Sequence, residues 1–476
     1  MAKETDVVVI GGGPGGYPAA IRATQLGKRV ILVERDEIGG ECLNVGCIPS
    51  KALLSATRLY TRILDEAPEM GIISERVSLD IEKMQEWRHK IQVNLVSGVK
   101  QLLKANGIEV INGSARLEAP GKVVVRLADD TTETISAEDV VIASGASYKL
   151  PDELVHDFDK VVTPYQAIDF KEIPDKVLVI GAGNIGIEFS TLMNRLGSEV
   201  TLIDVGPDLF SDLDPRITSI VKRSLKKSGV DLRVATRLVD IVETESGELV
   251  VTLESKDEGE YQLSCDRVVH TVGKQPNTGG LGLNEIGIDT REDGSIVVDS
   301  AMQTSLSHHY AVGDCTGTPY LAHRATKQGT IAAEVIAGLP SEYDYRGIPR
   351  VIFSEPEIAF VGMSEQDAKD AGYEVVTGQA SFAASGRAMT EDEAEGMVKI
   401  IAEASTGAVL GVQLVGPDAT DLISEMSLAI EMGALLEDIS FTSHPHPTLP
   451  EMVMEAAASA QGKAINIANA RHTMSR

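Results

Sequence analysis

Two of the four cysteines, Cys42 and Cys47, stand five residues apart in the stretch GGECLNVGCIPSK. A zinc site would need a second pair of ligands, and Cys265 and Cys315 are isolated from each other in the sequence. A structural disulfide is disfavoured because a cytoplasmic chain is kept reduced. The remaining interpretation is a redox-active disulfide, whose two sulfurs take up and release electrons.

The peptide between these cysteines cannot be regular helix while the sulfurs are bonded. Residues five apart in an ideal helix have Cα atoms roughly 8.5 Å apart, beyond the limit of about 7 Å for a disulfide. We predict a break near Gly46 and a helix that restarts around Pro49, since proline is tolerated in a first turn. Lys51 would then oppose the helix dipole, so we expect an acidic or electron-rich partner; a solvated lysine is the alternative.

A second group with chemical potential lies in SHPHPTLPEMVMEAA, near the other end of the chain. Thr448 and Glu451 have the spacing of a capping box at a helix start. Glu451 could also orient the imidazole of His446 as a general base that takes a thiol proton. Both roles are compatible. A metal site at His444 and His446 is disfavoured because no carboxylate or thiol is close in sequence, and we predict no metal.

Two segments predict dinucleotide-binding units, each with the order strand, glycine turn, helix, strand, acid. In such a unit one glycine makes the tight turn, one admits a pyrophosphate, and one lets helix pack on strand, while the acid accepts hydrogen bonds from a ribose. The candidate residues are Gly11, Gly13, Gly16 and Glu34 in the first unit, and Gly181, Gly183, Gly186 and Asp204 in the second.

The residues after Asp204 favour NAD over NADP. A 2′-phosphate would need cations near the strand end. Residues Val205 to Phe210 include no Lys or Arg, and the next arginine is Arg216.

Composition restricts the partners and the location. The 43 Lys and Arg residues against 71 Asp and Glu residues give a net charge of −28, which argues against nucleic acid and anionic membranes. The acidic surface could serve solubility, and a basic protein partner is the sharper alternative. No signal or transit pattern precedes the first strand-like run, so we expect a cytoplasmic protein; a processed organellar one stays open.

The remaining segments predict the domain order. VVIASGA, which contains Gly145, could leave the first domain; VVHTVGKQPNT, with Gly273, could return to it; HYAVGDC ends in a strand followed by Asp314. From about residue 347 the nucleotide pattern stops, and DLISEMSLAIEMGALLEDI predicts one long amphipathic helix. We therefore predict an α/β fold with two Rossmann-like domains and a C-terminal α+β domain, divided as 1–147, 148–273, 274–346 and 347–476.

Taken in order, the motifs GGGPGG, CLNVGC-IPSK, ASG, GAGNIGIE, VGD, LAHRA and HPHPTLPE resemble the flavin-dependent disulfide reductases over nearly the whole chain. The resemblance implies FAD in the first unit, NAD in the second, and a C-terminal interface domain. It implies that Lys51 pairs with Glu188. It places Ala115, Gly145, Asp314 and Ala322 at FAD and Gly273 near NAD. Two departures are Lys274, where Arg is common, and Pro450, where a small polar residue is common.

The form H-x-H-P-T is nearest to the branch of that family that oxidises dihydrolipoamide with NAD⁺. The resemblance implies that the dithiol attacks Cys42, that Cys47 faces the flavin, and that His446 of one subunit of a homodimer completes the partner's site. A lipoyl domain is the implied substrate carrier, and a basic acyltransferase core of a 2-oxoacid dehydrogenase or glycine cleavage complex is a candidate partner. A reductase of a low-molecular-weight disulfide and a non-catalytic complex subunit are the alternatives.

Overall fold

The first dinucleotide unit forms a sheet of seven strands. The computed structural model of the chain describes residues 2–149 and 159–469. Strands in this sheet are β1 (Lys3–Ile10), β2 (Val30–Glu34), β3 (Glu109–Asn112), β4 (Ser114–Ala119), β5 (Lys122–Arg126), β6 (Thr132–Ile142) and β17 (His309–Ala311). Their order is β3-β2-β1-β6-β5-β4, and β17 pairs in parallel with the end of β6. Residues 309–311 thus return to the sheet that the chain leaves after residue 142.

The helices of this part include those that carry the cysteines. They are α1 (Gly16–Gln25), α2 (Gly40–Asn44), α3 (Cys47–Thr61), α4 (Ile81–Ala105), α8 (Leu283–Ile286) and α9 (Ala322–Ile336), with a π turn at Arg62–Glu66 and a 3₁₀ turn at Gly313–Thr316. Helix α1 buries alanines against β1 and β2, because Ala19, Ala20 and Ala23 lie on one helical face.

The second unit forms a parallel sheet of five strands in the order β11-β10-β9-β15-β8. Its strands are β8 (Val161–Val162), β9 (Lys176–Ile180), β10 (Glu199–Ile203), β11 (Asp231–Arg233) and β15 (Arg267–His270), and its helices are α5 (Pro164–Ala167), α6 (Asn184–Arg195) and α7 (Pro215–Ser228). An antiparallel meander joins it, formed by β12 (Thr236–Glu243), β13 (Leu249–Ser255) and β14 (Gly259–Cys265). Two crossing strands, β7 (Ala146–Tyr148) and β16 (Lys274–Pro276), pair with each other between the two units.

The last part is an antiparallel sheet of five strands with helices against it, as an α+β domain requires. Its strands are β18 (Arg350–Ile352), β19 (Glu357–Gly362), β20 (Val375–Ser381), β21 (Met397–Glu403) and β22 (Val409–Gly416). Its helices are α10 (Glu365–Asp370), α11 (Gly386–Thr390), α12 (Ala419–Glu431), α13 (Leu436–Phe441) and α14 (Glu451–Ala460), with a 3₁₀ turn at Phe382–Ala384. The predicted fold class is confirmed; the four residue boundaries stay a prediction.

One predicted helix is wrong. The segment from Asp421 to Ile439 was expected to be continuous, but α12 ends at Glu431 and α13 begins at Leu436. Gly433 has a left-handed backbone conformation (φ +67°). A residue in this conformation ends a helix, and glycine adopts it without the steric cost that other residues incur. The apolar spacing continues across the break, and this continuity hid the break in the sequence.

A buried ion cluster joins the second unit to the C-terminal sheet. Lys399 of β21 lies 2.6 Å from Asp214 and 2.5 Å from Glu365, and its side chain is 4% exposed. Burial alone would raise the pKa of Asp214, but hydrogen bonds from Arg216 and Lys399 hold it well below its usual range. The cluster therefore links α7 to the C-terminal sheet by buried charge.

Across residues 2–149 and 159–469, none of the helices has the combined length and apolar character that crossing a bilayer requires.

Candidate active site

The first glycine turn packs too tightly for side chains. Gly11 has φ +105°, and a Cβ there would lie 2.2 Å from the carbonyl oxygen of Ala143; a Cβ on Gly16 would lie 1.8 Å from the carbonyl oxygen of Gly11. Gly13 is less confined, since its nearest contact would be 3.7 Å away. Glu34 accepts the N–H of Gly12 at 2.6 Å, so this acid also fixes the turn that it follows.

A cavity of about 1080 Å³ extends from this turn to both cysteines. Its lining includes predicted residues from five separate segments, namely Gly11, Gly13, Glu34, Cys42, Cys47, Ala115, Gly145, Asp314 and Ala322. The hydroxyl of Ser144, which also lines it, is buried without a hydrogen-bond partner. A glycine turn at a helix N-terminus, an acid after the second strand, and an unpartnered hydroxyl fit a dinucleotide such as FAD.

The two cysteines lie on either side of a helix break, as predicted. Helix α2 ends at Asn44 and α3 begins at Cys47, with Gly46 between them at φ −117° and ψ −109°. The N–H groups of Val45 and Gly46 both donate to the carbonyl of Glu41, at 2.9 and 2.8 Å. The backbone oxygen of one residue therefore shapes the peptide between the sulfurs.

The two thiols differ in acidity. A hydrogen bond from Cys42 to Cys47 lowers the pKa of Cys47, and the nearby Lys51 lowers it further, against the effect of burial. The same hydrogen bond and burial raise the pKa of Cys42. In the reduced pair, Cys47 is thus the more acidic thiol, and Cys42 is the donor of the hydrogen bond between them.

Lys51 has the acidic neighbour that its position required. Its Nζ lies 2.6 Å from Oε2 of Glu188, whose side chain is 7% exposed. The other oxygen of Glu188 accepts the N–H of Phe353 at 3.0 Å, and Lys51 lies 4.8 Å from the centre of the Phe353 ring. Lys51 itself is outside the lining of the cavity. The pair connects α3, α6 and the C-terminal part of the chain.

Sequence reasoning missed a second ion cluster, whose members line the same cavity as the cysteines. Lys274 lies 2.9 Å from Glu41 and 2.8 Å from Asp314, and its side chain is 12% exposed. The two carboxylates raise the pKa of Lys274 although burial opposes this. Tyr165 of α5 also lines the cavity, so the second unit contributes to it. Asp314 therefore has a lysine partner in addition to any cofactor.

The second glycine turn repeats the geometry of the first. Gly181 has φ +100°, and a Cβ on Gly186 would lie 1.7 Å from the carbonyl oxygen of Gly181. A Cβ on Gly183 would have no atom within 4 Å, so its backbone is open to a ligand. Both oxygens of Asp204 accept backbone N–H groups, from Ala182 and Gly206, at 2.7 Å each.

The second unit also contains Gly273 and two arginines, Arg216 and Arg233. Gly273 has φ +81°, and its carbonyl accepts the N–H of Lys149 where the chain crosses between units. Arg216 donates hydrogen bonds to Asp214 and Gln379. Arg233, at the end of β11, is a cation next to Asp204 that lies outside residues 205–216. It pairs with Asp231 at 2.7 Å.

The imidazole of His446 is held by Glu451 as the functional interpretation required. Nδ1 of His446 lies 2.9 Å from one oxygen of Glu451, and the other oxygen accepts the N–H of Thr448 at 2.8 Å. Only half of the predicted capping box forms, because Pro450 precedes α14 and the hydroxyl of Thr448 donates to Pro445 instead. The side chain of His446 is 79% exposed and does not line the cavity of the cysteines.

His444 and His308 make contacts that are separate from the pair of His446 and Glu451. His444 lies between Glu425 (3.1 Å) and the carbonyl of Thr442 (2.9 Å), so both of its ring nitrogens face oxygen atoms. Within the described residues, the ligand atoms of Glu138, Asp139 and His308 lie within 4.8 Å of one another. There Nδ1 of His308 already contacts Asp139 at 3.0 Å.

Comparison with known proteins agrees with this fold and site. Residues 5–329 match the model of the pyridine nucleotide-disulphide oxidoreductases, and residues 348–457 match the dimerisation domain of the same enzymes. The chain belongs to the pyridine nucleotide-disulphide oxidoreductase family.

Several relatives of the chain within this family are named dihydrolipoyl dehydrogenase. The chain is 42% identical over 468 residues to a dihydrolipoyl dehydrogenase of Geobacillus stearothermophilus, covering 98% of each protein. It is 40% identical over 473 residues to a dihydrolipoyl dehydrogenase of Haloferax volcanii, covering 98% of this chain and 99% of the relative. Among solved structures it is similar to LpdA from Mycobacterium tuberculosis, with a TM-score of 0.88 and 28% identity over 96% of this chain and 99% of the other.

Proposed function

We propose that the chain oxidises dihydrolipoamide through the Cys42–Cys47 disulfide, with FAD as its bound cofactor and NAD⁺ as the final acceptor. The observation that carries this proposal is a cavity that begins at a dinucleotide-type glycine turn and is lined by two cysteines with opposite pKa shifts. The pKa of Cys42 is raised and that of Cys47 is lowered. Relatives named dihydrolipoyl dehydrogenase, 40% and 42% identical over 98% of the chain, support the choice of substrate.

The order of steps in the thiol exchange follows from the difference in pKa between Cys42 and Cys47. One thiolate of the substrate attacks the sulfur of Cys42, the disulfide breaks, and Cys47 leaves as a thiolate. Cys47 is the better leaving group, because the thiol with the lower pKa leaves faster. The second substrate thiol then attacks the sulfur of the mixed disulfide that came from the substrate, which releases cyclic lipoamide and Cys42 as a thiol. Bound FAD would take the two electrons from the Cys47 side and supply hydride to NAD⁺.

The roles of the other candidate residues are part of this proposal. His446 takes the proton of the attacking substrate thiol, and Glu451 orients it. FAD is held by Gly11, Gly13, Gly16, Glu34, Lys51, Ala115, Gly145, Asp314 and Ala322, and NAD by Gly181, Gly183, Gly186, Glu188, Asp204 and Gly273.

The catalytic unit in this proposal is a homodimer in which His446 serves the disulfide of the partner subunit. The exposure of His446 in one chain, and its position within the region that matches the dimerisation domain, support this arrangement. A lipoyl domain as the carrier of the substrate, a basic acyltransferase core as a further partner, and a cytoplasmic location remain predictions.

The test is NAD⁺ reduction by the purified holoenzyme. Dihydrolipoamide should support turnover at a kcat/KM at least about 100-fold above that for reduced glutathione, because two thiols on one molecule make the second attack intramolecular. Cys42→Ser should abolish it. Equal turnover with a monothiol would instead favour a reductase of low-molecular-weight disulfides, and an enzyme that retains FAD without thiol-dependent turnover would indicate a non-catalytic subunit.

A separate experiment tests the roles of the two sulfurs. In Cys42→Ser, Cys47 should react with iodoacetamide near neutral pH, because the neighbouring hydroxyl and Lys51 still favour its thiolate. In Cys47→Ser, Cys42 should react only at alkaline pH, because burial raises the pKa of this thiol. The reverse order of reactivity would show that the two roles are exchanged.

A further inference from the structure

Two ion clusters act on the acidity of the cysteine pair with opposite sign. In one, Lys51 lowers the pKa of Cys47 and is paired with Glu188. In the other, Glu41 raises the pKa of Cys47 and is paired with Lys274. The proposed mechanism uses the first cluster and, in the second, gives a role to Asp314 but none to Glu41 or Lys274.

Glu41 is fixed close to both cysteines by its backbone and its side chain. It directly precedes Cys42 in α2, and its carbonyl accepts both N–H groups that lead to Cys47. A Cβ on Gly46, the residue before Cys47, would lie 3.5 Å from Cγ of Glu41. Glu41, Cys42 and Cys47 line the same cavity.

Lys274 pairs with this carboxylate and favours its charged form. Burial raises the pKa of Glu41, and the charge of Lys274 opposes that rise. Lys274 is shared with Asp314, so the cluster contains two carboxylates and one ammonium group. When all three groups are ionised, the cluster has a net negative charge, and it lines the same cavity as the cysteines.

We propose that Glu41, held by Lys274, is a positioning residue that sets the redox balance of the Cys42–Cys47 pair by opposing the formation of the Cys47 thiolate. The proposal rests on the proposed function, since it requires the pair to cycle between disulfide and dithiol.

The sign follows from the balanced half-reaction. The disulfide takes up two electrons and one proton and becomes a thiol at Cys42 and a thiolate at Cys47. This adds one negative charge beside Glu41, whereas the disulfide adds none. A carboxylate there favours the disulfide, so the neutral variant Glu41→Gln should favour the reduced pair.

The experiment equilibrates the holoenzyme, without NAD, in anaerobic mixtures of dihydrolipoamide and lipoamide at pH 8. Acid quenching, alkylation and mass measurement of the peptide that contains both cysteines then give the reduced fraction. We expect Glu41→Gln to shift the equilibrium constant about 3- to 30-fold toward the dithiol, which corresponds to about 14 to 44 mV at 29.6 mV per tenfold change. Glu41→Ser is a second neutral variant if the glutamine protein does not fold.

Two controls separate charge from packing. Glu41→Asp keeps the charge and should stay within threefold of the unmodified enzyme. Glu109→Gln removes a surface carboxylate that pairs with Lys3, and it should stay within twofold, because solvent and salt screen an exposed charge.

Several outcomes would overturn the proposal. The proposal about Glu41, but not the proposed function, would be refuted if its neutral variants had the same equilibrium constant as the unmodified enzyme. It would also be refuted if their equilibrium constant shifted toward the disulfide. An aspartate variant that shifts as much as the glutamine variant would refute it too, because packing would then be the cause. A pair in the unmodified enzyme that does not cycle at all would refute the proposed function as well.

Discussion

Replacing Glu451 by glutamine separates its two roles, because glutamine has one acceptor oxygen where the carboxylate has two. Both oxygens are in use, one with Nδ1 of His446 at 2.9 Å and one with the N–H of Thr448 at 2.8 Å. If the amide oxygen keeps the Thr448 contact, the amide NH₂ faces Nδ1 and favours the tautomer whose proton is on Nε2. An Nε2 that already carries a proton cannot act as a base.

The expected magnitude follows from the lost contact. A hydrogen bond to a charged group contributes about 1.5–3 kcal/mol, which corresponds to about 10- to 150-fold in rate at 1.36 kcal/mol per tenfold change. Glu451→Gln should therefore slow the reduction of the enzyme by dihydrolipoamide by that factor. His446→Ala should slow it by about 10²–10⁴, the usual range for loss of a general base.

Anaerobic rapid mixing with dihydrolipoamide measures this step directly. The oxidation of NADH by an artificial electron acceptor is the control, since it does not involve the base and should persist in both variants. A Glu451→Gln enzyme within threefold of the unmodified rate, beside a slow His446→Ala enzyme, would refute the orienting role and leave Glu451 only its contact with Thr448.

Four further predictions address the rest of the molecule. Asp204→Ala should weaken NAD binding about 5- to 150-fold in a calorimetric titration, from about 1–3 kcal/mol of lost hydrogen bonding, with FAD retention little changed; tighter binding of NADP than NAD by the unmodified protein would contradict the assignment. Lys399→Met should lower the free energy of unfolding in urea by about 3–5 kcal/mol, because a buried carboxylate loses a partner. Since the fold lowers the pKa of Asp214, its contribution should be present above about pH 4 and be lost as the pH falls below that value; equal acid sensitivity of Asp214→Asn and the unmodified protein would contradict this. Mixed His446→Ala and Cys42→Ser chains, each inactive alone, should regain activity when subunits exchange, and an exchanged mixture that stays inactive would exclude the shared site.

The features that the sequence predicted correctly depend on local geometry. A glycine turn between a strand and a helix allows few residue types at Gly11 and Gly16, so spacing alone identifies them. The break between Cys42 and Cys47 likewise follows from the distance that a disulfide permits. These are constraints that residues close in sequence impose on one another.

The features that could not be predicted depend on contacts between distant segments. Glu41 and Lys274 are separated by 233 positions, and no periodicity indicates that the crossing strand β16 carries its lysine to α2. Arg233 was missed for the same reason, since β11 reaches the end of β10 only through the sheet. The break at Gly433 is different, because the signal was present and the apolar spacing on both sides concealed it.

The placement of acid and base argues for the dimer on chemical grounds. The neutral dithiol of the substrate loses two protons, and Cys42, whose pKa is raised, takes up only one when it is released as a thiol. The exchange therefore needs a second proton acceptor close to Cys42. Among the described residues, no histidine lines the cavity of the cysteines. Five carboxylates do, and each is bonded to Lys274, to the glycine turn, to Arg35 or to Lys100. His446 is oriented by a carboxylate and yet is 79% exposed in one chain. An oriented imidazole without a local reaction partner is the arrangement expected of a base that acts on the cysteines of another subunit.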